Sequence, residues 1–412
     1  MREPSRRVLL CCETGHGSGH VTTLATVARA LGPGYPCQAI IPEMDRADVL
    51  SPVCARVDRG AVLARLPGRP AAGAFNWAVW LDNRGYGEPE VLKAQFDWWA
   101  LALQTIKPAL VVADYAPTAL LAARALGIPT VAVGAAFGSP PATLPCFPEL
   151  LSRDQAALLA PVSGEPAPSE DAICACVNAT LGPLGVPPLA RLPEVYAADL
   201  SLPHGVSIWD PYDGARNLPL VLPFDSMPPL SGGSGEEIFI YFSGLELTEP
   251  AIQDALCRLP FKACLVAPGL TPDMARRLQE NPCLSIAPAP LPREEIVRRS
   301  RMVLCAGQAG TLALAVLAGL PVVALPMHHE QLSNALRAAE GLTSVRMVPK
   351  KKRSAETILD IISELWERSA IAAAAKLAAM DLRDGYDGAA QHAYRKAILA
   401  MMRDKGGGGA RL

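Results

Sequence analysis

Short apolar runs alternate with helically spaced segments through the first 135 residues: RVLLCC, a helix from about His20 to Leu31, CQAII, then ALVVAD, PTALLAARALGIP and TVAVG. Apolar runs this short, without in-and-out alternation, predict strands buried on both faces, and the helices between them predict a parallel sheet covered on both sides. The pattern resumes in the second half with EIFIYFSG, KACLVAPG, LSIAPAP, RMVLCAGQAGTLALAVLAG and PVVALPM. Between the halves the chain is rich in proline, and LPLVLPFDSMPPLSGGSGEE ends in a Ser/Gly stretch with the character of a linker. The predicted architecture is therefore α/β, with two doubly wound Rossmann-like domains, 1–232 and 233–412, that face a central cleft. Open α/β sheets bind ligands at the carboxyl ends of their strands, which is where that cleft lies. The last helix is free to pack back on the N-terminal domain, and the tail KGGGGARL, residues 405–412, reads as disordered.

A chain of 412 residues with half of them hydrophobic can bury two cores. Its 38 Lys and Arg nearly balance its 40 Asp and Glu, which leaves no basic surplus for nucleic acid or an anionic membrane. No run of eighteen apolar residues is free of charges or turn signals, so no transmembrane segment is expected. The opening MREPSRRVLLCCETG reads as a first strand and not as an export signal. Eleven scattered cysteines fit neither a zinc knuckle nor a CxxC redox pair, and are expected as buried free thiols in a reducing, cytoplasmic setting.

The loop ETGHGSGHVT lies between a strand and a helix, which is the geometry of an anion site. Gly15 and Gly17 supply two glycines of a dinucleotide fingerprint, but His20 stands at the third. With Glu43 at the end of the second strand, an NAD-dependent enzyme is the weaker alternative. A histidine in the first turn of a helix at a cleft is placed for general-base work, and Asp114, ending ALVVAD, should emerge at the same sheet edge to orient it. Read one at a time, a helix-capping or packing role for His20 and a cap on the helix that begins near Pro117 for Asp114 are the favoured readings. Four of the six tryptophans fall between residues 77 and 99. Trp77 and Trp80, in FNWAVWLDNRGYG, are candidates to line an acceptor site with His16, against core packing as the plainer reading, which holds most strongly for Trp98 and Trp99. The run PKKKRSAE reads as a solvated loop ahead of a helix that Ser354 could cap.

A second glycine turn, with Gly307, Gln308, Gly310 and Thr311 ahead of a helix, is a candidate phosphate site. Glu330, Gln331 and Asn334 follow the next strand at a spacing that puts them on one helix face, where carboxylate and amide groups suit a sugar's hydroxyls.

On these residues the chain resembles the GT-B glycosyltransferases, the UDP-glycosyltransferase family in particular, with a looser likeness to bacterial lipid-linked N-acetylglucosaminyltransferases. GSGHVTTLATVARAL is similar to the family's opening motif, PALVVADYAPTALLAARALGIPTVAVG to its Asp-bearing segment, and residues 306–334 to its donor signature. The resemblance implies an inverting, metal-independent transfer of a sugar from a nucleotide-diphosphate sugar, UDP- or TDP-linked, to an acceptor hydroxyl, with no cofactor beyond that co-substrate. It implies His20 as base with Asp114 as partner, and Glu330, Gln331 and Asn334 on the donor. The family's diphosphate-binding histidine falls on Ala306 and its ribose-binding glutamate on Leu314. Those departures leave a second possibility open, a sugar-nucleotide-binding partner without turnover.

Overall fold

The computed structural model describes residues 6–14, 19–67, 75–162 and 168–407. Among the described residues, twelve strands form two six-stranded sheets. The first contains β1 (Val8–Cys12), β2 (Cys37–Ile41), β3 (Arg56–Arg59), β4 (Leu110–Asp114), β5 (Thr130–Ala135) and β6 (Leu200–His204), in the order β3-β2-β1-β4-β5-β6. The second contains β7 (Glu237–Tyr241), β8 (Ala263–Val266), β9 (Leu284–Ile286), β10 (Ser300–Cys305), β11 (Val322–Ala324) and β12 (Val345–Met347), in the order β12-β11-β10-β7-β8-β9. All pairings between these strands are parallel. Each sheet reverses direction at its centre, between β1 and β4 and between β7 and β10, and so opens a ligand crevice beyond the carboxyl ends of those strands.

The apolar runs form strands because both faces are covered. Val8, Leu10 and Cys12 of β1 pack with the Gly19–Leu31 helix, while Leu9 and Cys11 face the opposite cluster that holds Trp99 and Phe96. Full burial of such a leucine contributes roughly 1.5–3 kcal/mol, and the alternation places that gain on both sides of the sheet. All eleven cysteines are free. No helix among the described residues is long and apolar enough to cross a membrane.

Among the described residues the two halves are tied together at several places, the Tyr386 hydroxyl donating to Gly205 O at 2.6 Å among them. The final helix, Ala390–Gly407, lies against the Gly19–Leu31 helix, and Arg395 Nη1 donates to the carbonyls of Ala30 and Leu31 at 2.8 and 2.7 Å. Leu151 and Leu159 of the N-terminal half cluster with Leu332 of the C-terminal half, and Lys351 N–H donates to Leu158 O at 3.2 Å. Phe75 stacks on His329 with ring centroids 5.0 Å apart.

Three sequence expectations are corrected. Trp77 and Trp80 do not present open ring faces to a cleft: the short helix Trp77–Asp82, capped by Asn76, buries them at 0% and 9% exposure in the core of the first domain. Residues 405–407 of the expected tail belong to the final helix, which continues to Gly407. Residues 408–412, and His16 with Gly15 and Gly17, lie outside the described residues. Ser354 does cap the Ala355–Glu367 helix, accepting from Thr357 N–H, but the charged run before it is not wholly solvated. The Arg353 side chain is 1% exposed and ion-paired with Glu249.

Candidate functional site

The carboxyl edge of the first sheet brings together the two residues singled out from its loops. Register pairs Cys12 with Asp114, so the helix that begins at Gly19 starts beside the end of β4. His20 Nδ1 and Asp114 Oδ1 are 3.0 Å apart, with the imidazole 23% exposed and the carboxylate 1% exposed. The carboxylate can only accept from His20 Nδ1–H, which leaves Nε2 as the nitrogen able to take a proton. Gly134 on β5 makes room for this arrangement. Its φ is +123°, and a Cβ there would stand 2.5 Å from Asp114 Oδ1. Tyr115, next in the chain, has φ +51° and sets its ring edge-on to His20 at 5.0 Å. A non-glycine residue in that conformation is held only where its surroundings over-determine it.

Charge around His20 favours its protonated form. Burial is the largest influence and opposes a charged imidazole, but Asp114, by charge and hydrogen bond, and then Glu330 and Glu43 outweigh it, so the pKa is raised above the usual imidazole value of about 6.5. Glu330 is itself pushed up by burial, with His20 pulling it back. The Glu330 carboxyl of the second domain thus senses the His20 imidazole of the first.

On the second sheet, the turn after β10 leads into the Ala309–Leu317 helix. Gly307 has φ +90°, and a Cβ there would meet Gln331 O at 2.8 Å, so the close approach of the two loops requires glycine. Asn334 Nδ2 donates to Gly307 O at 3.3 Å, and Gln331 Oε1 accepts from Met327 N–H at 2.8 Å. Asn334 Nδ2 therefore supports the turn, while among the described residues its buried Oδ1 has no hydrogen-bond partner. Gln308 is similarly engaged: Oε1 accepts from Ala306 N–H at 3.0 Å and Nε2 donates to Glu246 Oε1 at 3.2 Å. Its side chain is not left free for a diphosphate. Gly310 in the first helical turn has open space where a Cβ would point, and Thr311 follows it half-buried. An anion can approach the N–H groups of that turn from there. Ala306 is fully buried and Leu314 packs into the core of the second domain.

Three buried polar residues were missed by sequence reasoning. Glu246 is 0% exposed and accepts from Ser243 N–H, Ser243 Oγ and Gly244 N–H at 2.8, 3.0 and 3.2 Å, closing the loop after β7 against the turn after β10. Glu13 accepts from Thr118 and Ala119 N–H at 3.2 and 2.8 Å at the start of the Pro117–Ala125 helix, and burial pushes its pKa up to about 8. It ties the loop after β1 to the segment after Asp114. His204 ends β6. Each is a single polar residue at or just past the carboxyl end of an apolar strand, and that position was the available signal.

No protein-family model and no curated protein matches the chain. Solved structures do match over nearly its whole length. CalG4, the calicheamicin glycosyltransferase, is 17% identical with a TM-score of 0.69, over 98% of this chain and 99% of that one. VinC, a glycosyltransferase solved with dTDP, is 14% identical with a TM-score of 0.66, over 97% and 100%. SnogD from Streptomyces nogalater, also a glycosyltransferase, is 17% identical with a TM-score of 0.59, over 97% and 100%. With two parallel sheets of matching strand order, these likenesses show that the chain has the GT-B fold.

Proposed function

We propose that this GT-B chain is an inverting glycosyltransferase, taking a sugar from a UDP- or TDP-sugar to an acceptor hydroxyl. The observation that carries the reading is the His20–Asp114 hydrogen bond, at the edge of one sheet, with an open helix N-terminus at the edge of the other. The acceptor O–H gives its proton to His20 Nε2 as its oxygen bonds to the anomeric carbon. The bond from that carbon to the diphosphate oxygen breaks, and its electron pair stays with the diphosphate. Asp114 stabilises the imidazolium as it forms, and the N–H groups at the start of the Ala309–Leu317 helix stabilise the leaving anion. One displacement inverts the anomeric centre, and no step in this reading calls for a metal. Glu330 and Gln331 hold the sugar, while the acceptor meets the side of the cleft near Tyr115 and Phe75.

The test is release of nucleoside diphosphate from a panel of sugar nucleotides in the presence of hydroxyl acceptors, with the product's anomeric configuration read by NMR. An inverted glycoside supports the reading, and a retained one contradicts it. A second reading, sugar-nucleotide binding without turnover, is favoured by Ala306 and Leu314, which lack the side-chain groups for diphosphate and ribose. Binding of a sugar nucleotide with no transfer to any acceptor would select it.

Two results are expected here. Because His20 must be neutral to accept a proton and its pKa is raised, turnover rises with pH through an acid limb whose midpoint lies above the ordinary value of about 6.5. A pH profile of kcat with the limb below that value contradicts the assignment. Gln331→Ala is expected to weaken the sugar nucleotide about tenfold, the order of one hydrogen bond, and to leave the bare nucleoside diphosphate nearly unchanged. Equal weakening of both in a titration removes the sugar contact.

A further inference from the structure

His204 stands at the same carboxyl edge as His20 and Asp114, and the mechanism above does not use it. Its Nε2 lies 3.0 Å from Thr23 Oγ1, and Thr23 belongs to the first turns of the helix that carries His20. The Thr23 hydroxyl has one hydrogen, which it donates to Gly19 O at 3.1 Å, one turn back. The imidazole is therefore the donor at the Thr23 contact, with Nε2 protonated and Nδ1 bearing the lone pair. Among the described residues that nitrogen is buried without a partner, and so is Asp114 Oδ2.

The sheet explains why these groups are neighbours. β6 is separated from β4 by β5 alone, and there Gly134 pairs with Pro203 and Ala135 with His204. Asp114 leans across Gly134, which has no side chain to obstruct it. Two histidines thus bracket one carboxylate, His20 on the side of β1 and His204 on the side of β6. Burial first, and His20 after it, hold the His204 pKa down at about 4 against the pull of Asp114. Near neutral pH only His20 competes for the charge of that carboxylate.

We propose that His204 is a positioning residue of the His20–Asp114 pair: by donating to Thr23 it fixes the first turn of the Gly19–Leu31 helix and so keeps His20 Nδ1 on Asp114. The consequence for turnover rests on the proposed function, but the consequence for His20 is measurable without any substrate. The groups that face His20 are Asp114 of β4, Tyr115 after it, Glu330 of the His329–Gly341 helix, Glu43 after β2 and His204 of β6. Of these, the test changes His204 alone or its partner Thr23.

The experiment is an NMR titration of the full chain labelled with 15N in histidine, the His20 signal assigned by its loss in His20→Gln. In His204→Leu and in Thr23→Val the His20 pKa is expected to fall by about 0.5 or more, since the contact that raises it is loosened. The double variant should fall no further than Thr23→Val alone, because that change already removes the His204 contact along with the Thr23 bond to Gly19 O. His204→Gln keeps an amide N–H within reach of Thr23 and should titrate like the wild type. With a sugar nucleotide and acceptor, kcat should drop about fivefold to tenfold in the two disrupted variants, within the range a misplaced base can cost, with donor KM unchanged. An unmoved His20 titration in His204→Leu, alongside a lowered Tm, would reduce His204 to a structural role. Additive shifts in the double variant, or His204→Gln behaving like His204→Leu, also overturn the proposal. Absence of turnover in the wild type would count against the function alone and leave the titration result standing.

Discussion

His20→Ala is expected to slow turnover by about a hundredfold or more, the usual scale of losing a general base, while binding of the nucleoside diphosphate stays nearly unchanged. The two effects separate because the groups sit on different sheets. His20 is in the helix after β1, and the turn proposed for the diphosphate follows β10. The substitution also takes a donor away from a carboxylate that is 1% exposed, which costs about 1–3 kcal/mol if nothing replaces it. Activity is therefore to be compared at a temperature where both proteins are folded, with Tm as the control. Turnover retained within a factor of a few would remove His20 from the mechanism. Loss of nucleotide binding together with turnover would point to a collapsed cleft.

Asp114→Asn is expected to have the second largest effect, again about a hundredfold or more in kcat, together with a displaced pH profile. Asparagine has nearly the same shape, so the tight space over Gly134 is respected, and its carbonyl can still accept from His20 Nδ1. What disappears is the charge that stabilises the imidazolium. Since Asp114 is the main cause holding the His20 pKa up, the acid limb should move down towards or below the ordinary value of about 6.5. A slower enzyme with an unmoved limb would mean that Asp114 serves another step. Normal kcat with an unmoved limb would mean that the hydrogen bond is only structural.

The fold was legible because its physical signal is strong. Strands such as VLLCC and LVVAD are buried along their whole length, so their apolar runs report a parallel sheet covered on both sides. His20 and Asp114 could be brought together from sequence because each follows directly from its place at a strand's carboxyl end. The tryptophans were not legible in this way. FNWAVWLDNRGYG has the composition of a cleft wall and of a core helix alike, and only packing against Tyr115, Phe137 and Tyr212 decides that Trp77 faces inward. Gln308 and Asn334 stand at the right places in the motif, yet the Gln308 amide is committed to Glu246 and Ala306 and Asn334 Nδ2 to Gly307, a matter of loop geometry that spacing does not encode. The Glu246 contact with Gln308 and the His204 contact with Thr23 join segments far apart along the chain, so those roles depend on tertiary structure.

The central claim is that the second sheet binds a sugar nucleotide, and a thermal-shift titration with UDP, TDP, GDP, ADP and NAD, each diphosphate also as its sugar conjugates, tests it most directly. A ligand that binds only the folded chain raises Tm in proportion to its affinity and concentration. Tm is expected to rise with one nucleoside diphosphate and to rise further with one of its sugars. A rise with NAD alone, or none with any sugar nucleotide, would contradict it.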